Sequence, residues 1–388
     1  MFHVLHITND FGGTEVYRNL YQHLDELGIR QTVFVPLNSR VRYRKGNHDF
    51  IFKTDGSKII YSINLKWYHR YLYNLKISRV VRDVVEMVNL DEISLIHAST
   101  VCMTGAVAFE ISNQIKKKFI VTVRNTDINT YFKKMKWKRG YFNTILENAS
   151  FVLFISKQYK LDCFQKHFNK SVVQNIEMKN KVIPNGIDSY FLKNKPILQK
   201  TLNTPIELVF AGGYRNNKNL LRLIEAVDLL QSNKFNVRLK AIGRSLPNRS
   251  VNKRYLQSLE CASKNKEYIQ LIEYQDKEGL CKFFSNANIF VMPSIHETFG
   301  LSYAEALSQG LPIIYTRGQG FDGFFKEGEV GFAVDALNVH DIAKGIEFVI
   351  TNYSNLAQNV VNLDISKYFD WKDIAVKYQN LYNSIIKV

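Results

Sequence analysis

"IFVMPSIHETFGLSYAEALSQGLPIIYT", residues 289–316, decides the fold of this chain. "IFVMPS" (289–294) reads as a buried strand that Pro293 and Ser294 end, and "PIIYT" (312–316) as the strand after it. Between them "GLSYAEALSQG" reads as a helix closed by Gly310 just past its last turn. A strand, a crossing helix and a second strand make a parallel unit. Gly300 and Leu301 are expected in the first helical turn, where backbone N–H groups have no partner within the helix. Those donors and the positive end of the helix dipole suit a phosphate, and a glycine there admits a ligand close to the backbone. Two carboxylates eight residues apart flank this point, Glu297 in the loop and Glu305 in the helix. They can accept hydrogen bonds from hydroxyls on either side of a bound diphosphate, as a nucleotide sugar would require. They can equally be one loop acid and one solvated helix acid.

The same alternation runs along the whole chain. Strands are expected at 3–8, 31–36, 94–99, 119–124 and 151–156, then at 207–213, 237–243 and 269–272. Helical patterns lie between them, among them "NLLRLIEAVDLL" (219–230) and "GLCKFFSNA" (279–287). The pattern is broken after "VIPNGID" (182–188) by the weakly periodic "SYFLKNKPILQKTLNTP" (189–205), which reads as an inter-domain connection. The expectation is an α/β chain of two doubly wound, Rossmann-like domains facing across a cleft, with ligands at the carboxyl ends of the strands.

The 388 residues are too many for one small core. An apolar fraction of 46% with 22% charged residues excludes a disordered chain. No apolar run spans a membrane, and "MFHVLHITND" does not read as a signal peptide. The four scattered cysteines, without metal-ligand spacing, point to a reduced cytoplasmic setting. Net charge is +17, of which +13 falls in residues 1–181, where 28 Lys and Arg face 15 Asp and Glu. That asymmetry calls for an anionic partner. Nucleic acid is one class, but no recognisable nucleic-acid module is present.

Two stretches make a second class concrete. "KIIYSINLKWYHRYLYNLKISR" (58–79) and "YFKKMKWKRGYF" (131–142) interleave aromatic and basic residues. Such stretches suit the headgroup layer of an anionic membrane. The alternative is two amphipathic helices with aromatic core faces and solvated basic faces.

"PSIHETFGLSYAEALSQGLPII" (293–314) resembles the Glu-x7-Glu signature of the retaining GT-B glycosyltransferases, family 4, also described as group 1. "NDFGGTE" (9–15), "VIPNGID" (182–188), "FAGGYRNNKNL" (210–220) and "FDWKDIAVKYQNLY" (369–382) are similar to further segments in family order. The resemblance implies an acceptor-binding domain over 1–186, a donor-binding domain over 187–369, and a final helix at 370–388 that packs back on the first domain. It implies that Glu305 binds the donor ribose, that Glu297 contacts the hexose, and that the Gly300 and Leu301 amides hold the diphosphate. Phe299 and Gly212 fall within the donor-binding motifs. Lys218 matches the lysine that stabilises the departing diphosphate, and Gly12 and Gly13 match the glycine loop facing the donor.

Two departures stand out. The arginine usual five residues before the clamp lysine is Gly213 here, with Arg215 as the candidate substitute. A His-Gly-x-Asp-like run is replaced by Arg124, Asn125 and Asp127. Arginine is no base near neutral pH but can pair with a phosphate or carboxylate. His97 is a further acceptor-side candidate, or a histidine with a packing role. With no Asp-x-Asp pair, the expected reaction is a retaining, metal-independent hexosyl transfer without a cofactor. The expected donor is a nucleotide sugar, UDP-sugar favoured, and the expected acceptor a lipid-linked or surface polysaccharide or lipopolysaccharide. The enzyme is then expected to be cytoplasmic and peripheral at the inner membrane face. The alternatives are a nucleotide-sugar epimerase of the same fold, or a non-catalytic glycan- or nucleic-acid-binding relative.

Overall fold

The computed structural model describes residues 2–196, 200–244 and 252–387, so residues 197–199 of the expected connection lie outside the described residues. Seven strands form the first sheet: β1 (His3–Ile7), β2 (Arg30–Asn38), β3 (Lys58–Leu65), β4 (Leu95–Ala98), β5 (Phe119–Val123), β6 (Phe151–Phe154) and β7 (Asn180–Val182). Their order is β3-β2-β1-β4-β5-β6-β7. Six strands form the second: β8 (Ile206–Ala211), β9 (Val237–Ile242), β10 (Ile269–Ile272), β11 (Ile289–Val291), β12 (Ile313–Thr316) and β13 (Gly331–Val334). Their order is β10-β9-β8-β11-β12-β13. Every pairing is parallel. Central strands such as β1, β4 and β5 are buried at every position, as a sheet covered on both faces requires.

The order of each sheet locates its ligand edge. In the first, the chain winds outward through β2 and β3, then returns to β4 on the other side of β1. In the second it winds through β9 and β10, then returns to β11 beside β8. The reversals fall between β1 and β4 and between β8 and β11, where the carboxyl ends of the strands leave room for a ligand.

Contacts divide the chain into a first unit of Met1–Ile155, Lys160–Gly186 and Trp371–Val388 and a second of Ser156–Tyr159 and Ile187–Asp370. The last helix, Trp371–Ile386, belongs to the first unit because of its spacing. Trp371, Ile374, Tyr378, Leu381, Tyr382 and Ile385 recur every three or four residues and bury one face in the core. They pack with Leu20, Tyr21 and Leu24 of helix Glu15–Glu26. Each such side chain contributes about 1.5–3 kcal/mol by leaving water.

Three strands escape the sequence reading. β7 is three residues long, and β13 is four residues with a glycine at its head. β3 is a correction: residues 58–65, read within a candidate amphipathic helix, form an edge strand on β2. Ile59, Ile60, Tyr61 and Ile63 favour an extended backbone, and the open edge keeps Lys58 in water. A short 3-10 turn, Trp67–Arg70, follows the strand, and α-helix begins only at Tyr73 and runs to Met87.

Candidate active site

The second unit gathers its polar groups at the β8/β11 reversal. After β8 the chain makes a tight turn, Asn216–Lys218, before helix Leu220–Ser232. Asn219 joins the two with a left-handed φ of 62°, a conformation asparagine tolerates. Its side-chain amide donates to the carbonyls of Pro293 at 3.0 Å and Ala336 at 2.6 Å, tying the turn to the end of β11. The Ile295 N–H donates to the Asn217 carbonyl at 2.9 Å and adds a second tie.

These ties bring Lys218 to Glu297. Its Nζ lies 2.5 Å from Glu297 Oε2, and the two side chains are only 17% and 15% exposed. A short pair with little solvent around it is held far more firmly than a surface ion pair. Glu297 is fixed from its backbone as well. Its N–H donates to Gln319 Oε1 at 3.0 Å, and its carbonyl accepts from Gly320 N–H at 2.9 Å. Its second carboxylate oxygen accepts from Thr298 N–H at 3.2 Å.

Gly300 stands one place earlier than expected, capping the helix rather than lying in its first turn. Helix Leu301–Ser308 starts after it, and Gly300 has φ 92° and ψ 69°. A Cβ at this position would fall 2.3 Å from the Tyr303 ring, so only glycine fits. Leu301 opens the helix with a main-chain donor four residues after Glu297. Glu305 lies inside the same helix, half-buried. Burial, and then the charge of Glu305, push the Cys281 thiol up to about 11, placing that carboxylate near helix Lys277–Ser285. Arg215 starts the Lys218 turn and is exposed. Gly212 follows β8, its N–H donating to the Ile242 carbonyl at 3.0 Å.

Phe299 requires a correction. Its ring is 2% exposed and packs against Phe321, Phe324 and Phe369, so the side chain anchors the loop from within and does not line a donor pocket.

The first unit presents its candidates at the ends of β1, β4 and β5. Gly12 and Gly13 lie in the short turn Phe11–Gly13. A Cβ on Gly12 would fall 2.1 Å from the Arg44 carbonyl oxygen, and one on Gly13 would fall 2.2 Å from Asp10 Oδ1. Both glycines therefore admit the neighbouring segment, where Arg44 pairs with Asp10 at 2.8 Å. Arg124 stacks over the Tyr17 ring at 5.4 Å and donates to Asn185 Oδ1 at 3.0 Å. Asn125 is exposed and bonds to Asn129.

Asp127 and His97 are corrected from acceptor-side candidates to interior groups. Asp127 is fully buried and accepts backbone N–H bonds from Val101, Cys102 and Arg124 at 3.1, 2.8 and 2.9 Å. Burial pushes its carboxyl up, and those bonds act in the opposite direction. It serves the tight turn after β4. His97 is 4% exposed; its ring nitrogens bond to Tyr382 Oη at 2.7 Å and Thr122 Oγ1 at 3.1 Å. Burial, and then the Arg124 charge, push it down to about 3. His6, fully buried beside it, is pushed down by burial and by His97.

The sign of the pH dependence follows. Both histidines are held neutral in the fold, whereas in the unfolded chain they take up protons near 6.5. The His97 contribution is fully present above about 6.5 and is lost as pH falls from there towards about 3, and His6 acts in the same direction. His97 alone removes about 1.4 kcal/mol per pH unit in that window. The melting temperature should therefore fall between pH 7 and 4.5, and the fall should be shallower for His97→Gln. Parallel curves for the two proteins would refute this origin.

Asn219 and Gln319, which hold Lys218 and Glu297 in place, are the positioning residues that sequence reading missed. Asn219 had a local signal, an asparagine ahead of a helix; Gln319 had none, because its partner is 22 residues away. Among the described residues, no three His, Cys, Asp or Glu side chains gather where they can share a metal ion. No described helix is long and apolar enough to cross a membrane.

Residues 194–362 match the family model for glycosyl transferases group 1. The O-antigen biosynthesis glycosyltransferase WclY of Escherichia coli is 24% identical over 320 residues, covering 81% of this chain and 86% of that protein. Among solved structures, sucrose-phosphate synthase from Thermosynechococcus elongatus superposes with a TM-score of 0.78 at 18% identity, covering 100% of both chains. Anabaena HepE, crystallised in complex with UDP, gives 0.72 at 16% identity, covering 99% of this chain and 100% of that one.

Proposed function

We propose that this chain, which has the GT-B fold and matches the group 1 glycosyltransferase model over residues 194–362, moves a hexose from a nucleotide sugar, UDP-sugar favoured, to a lipid-linked or surface-polysaccharide acceptor. The observation that carries this reading is the part-buried Lys218–Glu297 pair beside the glycine-capped start of helix Leu301–Ser308. The Leu301 amide and the helix dipole hold the donor diphosphate, and Lys218 and Arg215 neutralise it as it departs. Glu297 orients Lys218 and accepts a hydroxyl of the hexose; Glu305 accepts the ribose hydroxyls.

The transfer retains anomeric configuration. The bond from the anomeric carbon to the diphosphate oxygen breaks, and the acceptor hydroxyl forms its bond on the same face. Its proton passes to a donor phosphate oxygen. Charge neutralisation by side chains and helix dipole makes the step independent of a metal. Arg124, in the first unit, pairs with an anionic group of the acceptor. The preference for UDP is supported by HepE, a structural neighbour that binds it. The acceptor class is supported by the O-antigen relative and by the basic first unit. The enzyme works in the cytoplasm, resting on the anionic inner face of the membrane.

Calorimetric titration of UDP and of GDP in the presence of EDTA tests the donor site. One nucleotide should bind at micromolar level, and Glu305→Ala should weaken it roughly tenfold, the scale of a charge-assisted hydrogen bond. Absence of binding by either nucleotide would refute the donor site and favour a non-catalytic protein.

A further inference from the structure

The second unit holds positive charge at a second place. Helices Leu220–Ser232 and Lys253–Ser263 bring their first turns together around a pocket of about 570 Å³. Arg222 and Arg254 line it, and among the described residues no Asp or Glu does. Residues 245–251, which lie outside the described residues, contain no acid either. None of Lys218, Glu297, Leu301 and Glu305 lines the pocket.

Its polar groups are donors in want of an acceptor. Tyr255, on the wall, is 7% exposed, and its hydroxyl proton has no acceptor among the described residues. A buried hydroxyl left in that state costs stability that an accepting ligand recovers. The Leu220 and Leu221 N–H groups approach its oxygen and, with the Arg222 charge, oppose the rise in its pKa that burial causes. Those N–H groups open a helix and have no acceptor within it. Arg222 donates to Asn219 Oδ1 at 3.0 Å, which fixes its guanidinium at the pocket. Arg254 is exposed, and its guanidinium has no ion-pair partner among the described residues.

We propose that this pocket binds a small sugar phosphate, its phosphate oxygens accepting from Arg222, Arg254 and the Tyr255 hydroxyl. Two guanidinium groups, a hydroxyl and two helix starts with no acid among them match a group that only accepts and carries two negative charges. The side-chain amides of Asn216 and Asn252, on the exposed rim, suit the sugar hydroxyls. The volume lies within the range of small-molecule sites and exceeds what a bare ion fills. Asn216 and Asn219 belong to the turn that carries Lys218, so the pocket adjoins the proposed donor residues without containing them. The inference goes beyond the donor site and does not depend on it.

Calorimetric titration of glucose 6-phosphate into the full chain, alone and at saturating UDP, tests the pocket. Arg254→Gln should weaken binding roughly tenfold and Tyr255→Phe roughly threefold, the scales of a charge-assisted and a neutral hydrogen bond. Both variants should keep the melting temperature and UDP affinity of the parent, since Arg254 is exposed and the Tyr255 proton serves no described protein group. Inorganic phosphate should bind more weakly than glucose 6-phosphate and lose affinity in the same variants. The proposal is overturned if the parent chain does not bind glucose 6-phosphate. It is equally overturned if both variants bind it as the parent does, since the basic first unit then accounts for the affinity. Displacement of glucose 6-phosphate by UDP also sinks it, because the donor site then takes both, and equal affinity for inorganic phosphate removes the sugar. A chain that binds glucose 6-phosphate in this pocket but no UDP supports the inference and refutes the donor reading alone.

Discussion

Lys218→Ala should lower kcat by roughly 10²–10³-fold, the scale lost when one positioned charge facing a developing anion is removed. The ammonium is already committed in the protein without donor, 2.5 Å from Glu297 Oε2 and mostly shielded from water. It needs little reorganisation to meet a departing diphosphate, and preorganisation of this kind lowers the barrier more than it tightens the ground state. KM for the donor should therefore change much less than kcat. The substitution also leaves the Glu297 carboxylate without its cation at a site only 15% exposed. A drop in melting temperature should accompany the kinetic loss, and Glu297→Gln with Lys218→Ala should restore part of the stability but none of the rate. Transfer within threefold of the parent enzyme would remove Lys218 from the reaction.

Asp127→Ala should cost about 3–5 kcal/mol of stability, because the buried Val101 and Cys102 N–H groups and the part-buried Arg124 N–H lose their acceptor at once. For a domain of this size the unfolding transition of the first unit should move down by roughly 10 °C. Asp127→Asn should fall between, since its oxygen can still accept from Val101 and Cys102 while its amide faces the Arg124 N–H, a donor against a donor. Nucleotide affinity should hold in Asp127→Asn, because Lys218, Glu297, Leu301 and Glu305 belong to the second unit. A variant that melts like the parent protein but no longer transfers sugar would return Asp127 to the acceptor side.

The contrast between Asp127 and Lys218 shows what kind of information a linear reading carries. Both lie in short polar runs after a strand, and both are site candidates on the sequence. Sequence places them at a strand end but does not say whether the side chain turns outward or back under the sheet. Asp127 turns back, because the Val101 and Cys102 N–H groups of the turn after β4 need an acceptor. His97 and Phe299 turn inward in the same way, the first between Tyr382 and Thr122, the second into a cluster of phenylalanines. Tyr382 is 285 residues from His97, beyond any local pattern.

What the chain determines by itself is what depends on neighbours along it. Apolar runs of four to eight residues between helical periods specify two parallel sheets, and the expected strands at 237–243 and 269–272 match β9 and β10 within one residue. Gly300 marks the start of the helix at the β8/β11 edge to within one residue, although its left-handed backbone belongs to the tertiary structure. Tertiary structure decided the rest. It made 58–65 an edge strand, since only the presence of β2 rewards an extended conformation there. It selected Asn219 and Gln319 to hold the lysine–glutamate pair, and it set Lys138 against Asn74, 64 residues away along the chain. Periodicity is a property of the backbone and is written locally, whereas the direction and partner of a polar side chain are set by whichever donors and acceptors folding leaves unsatisfied beside it.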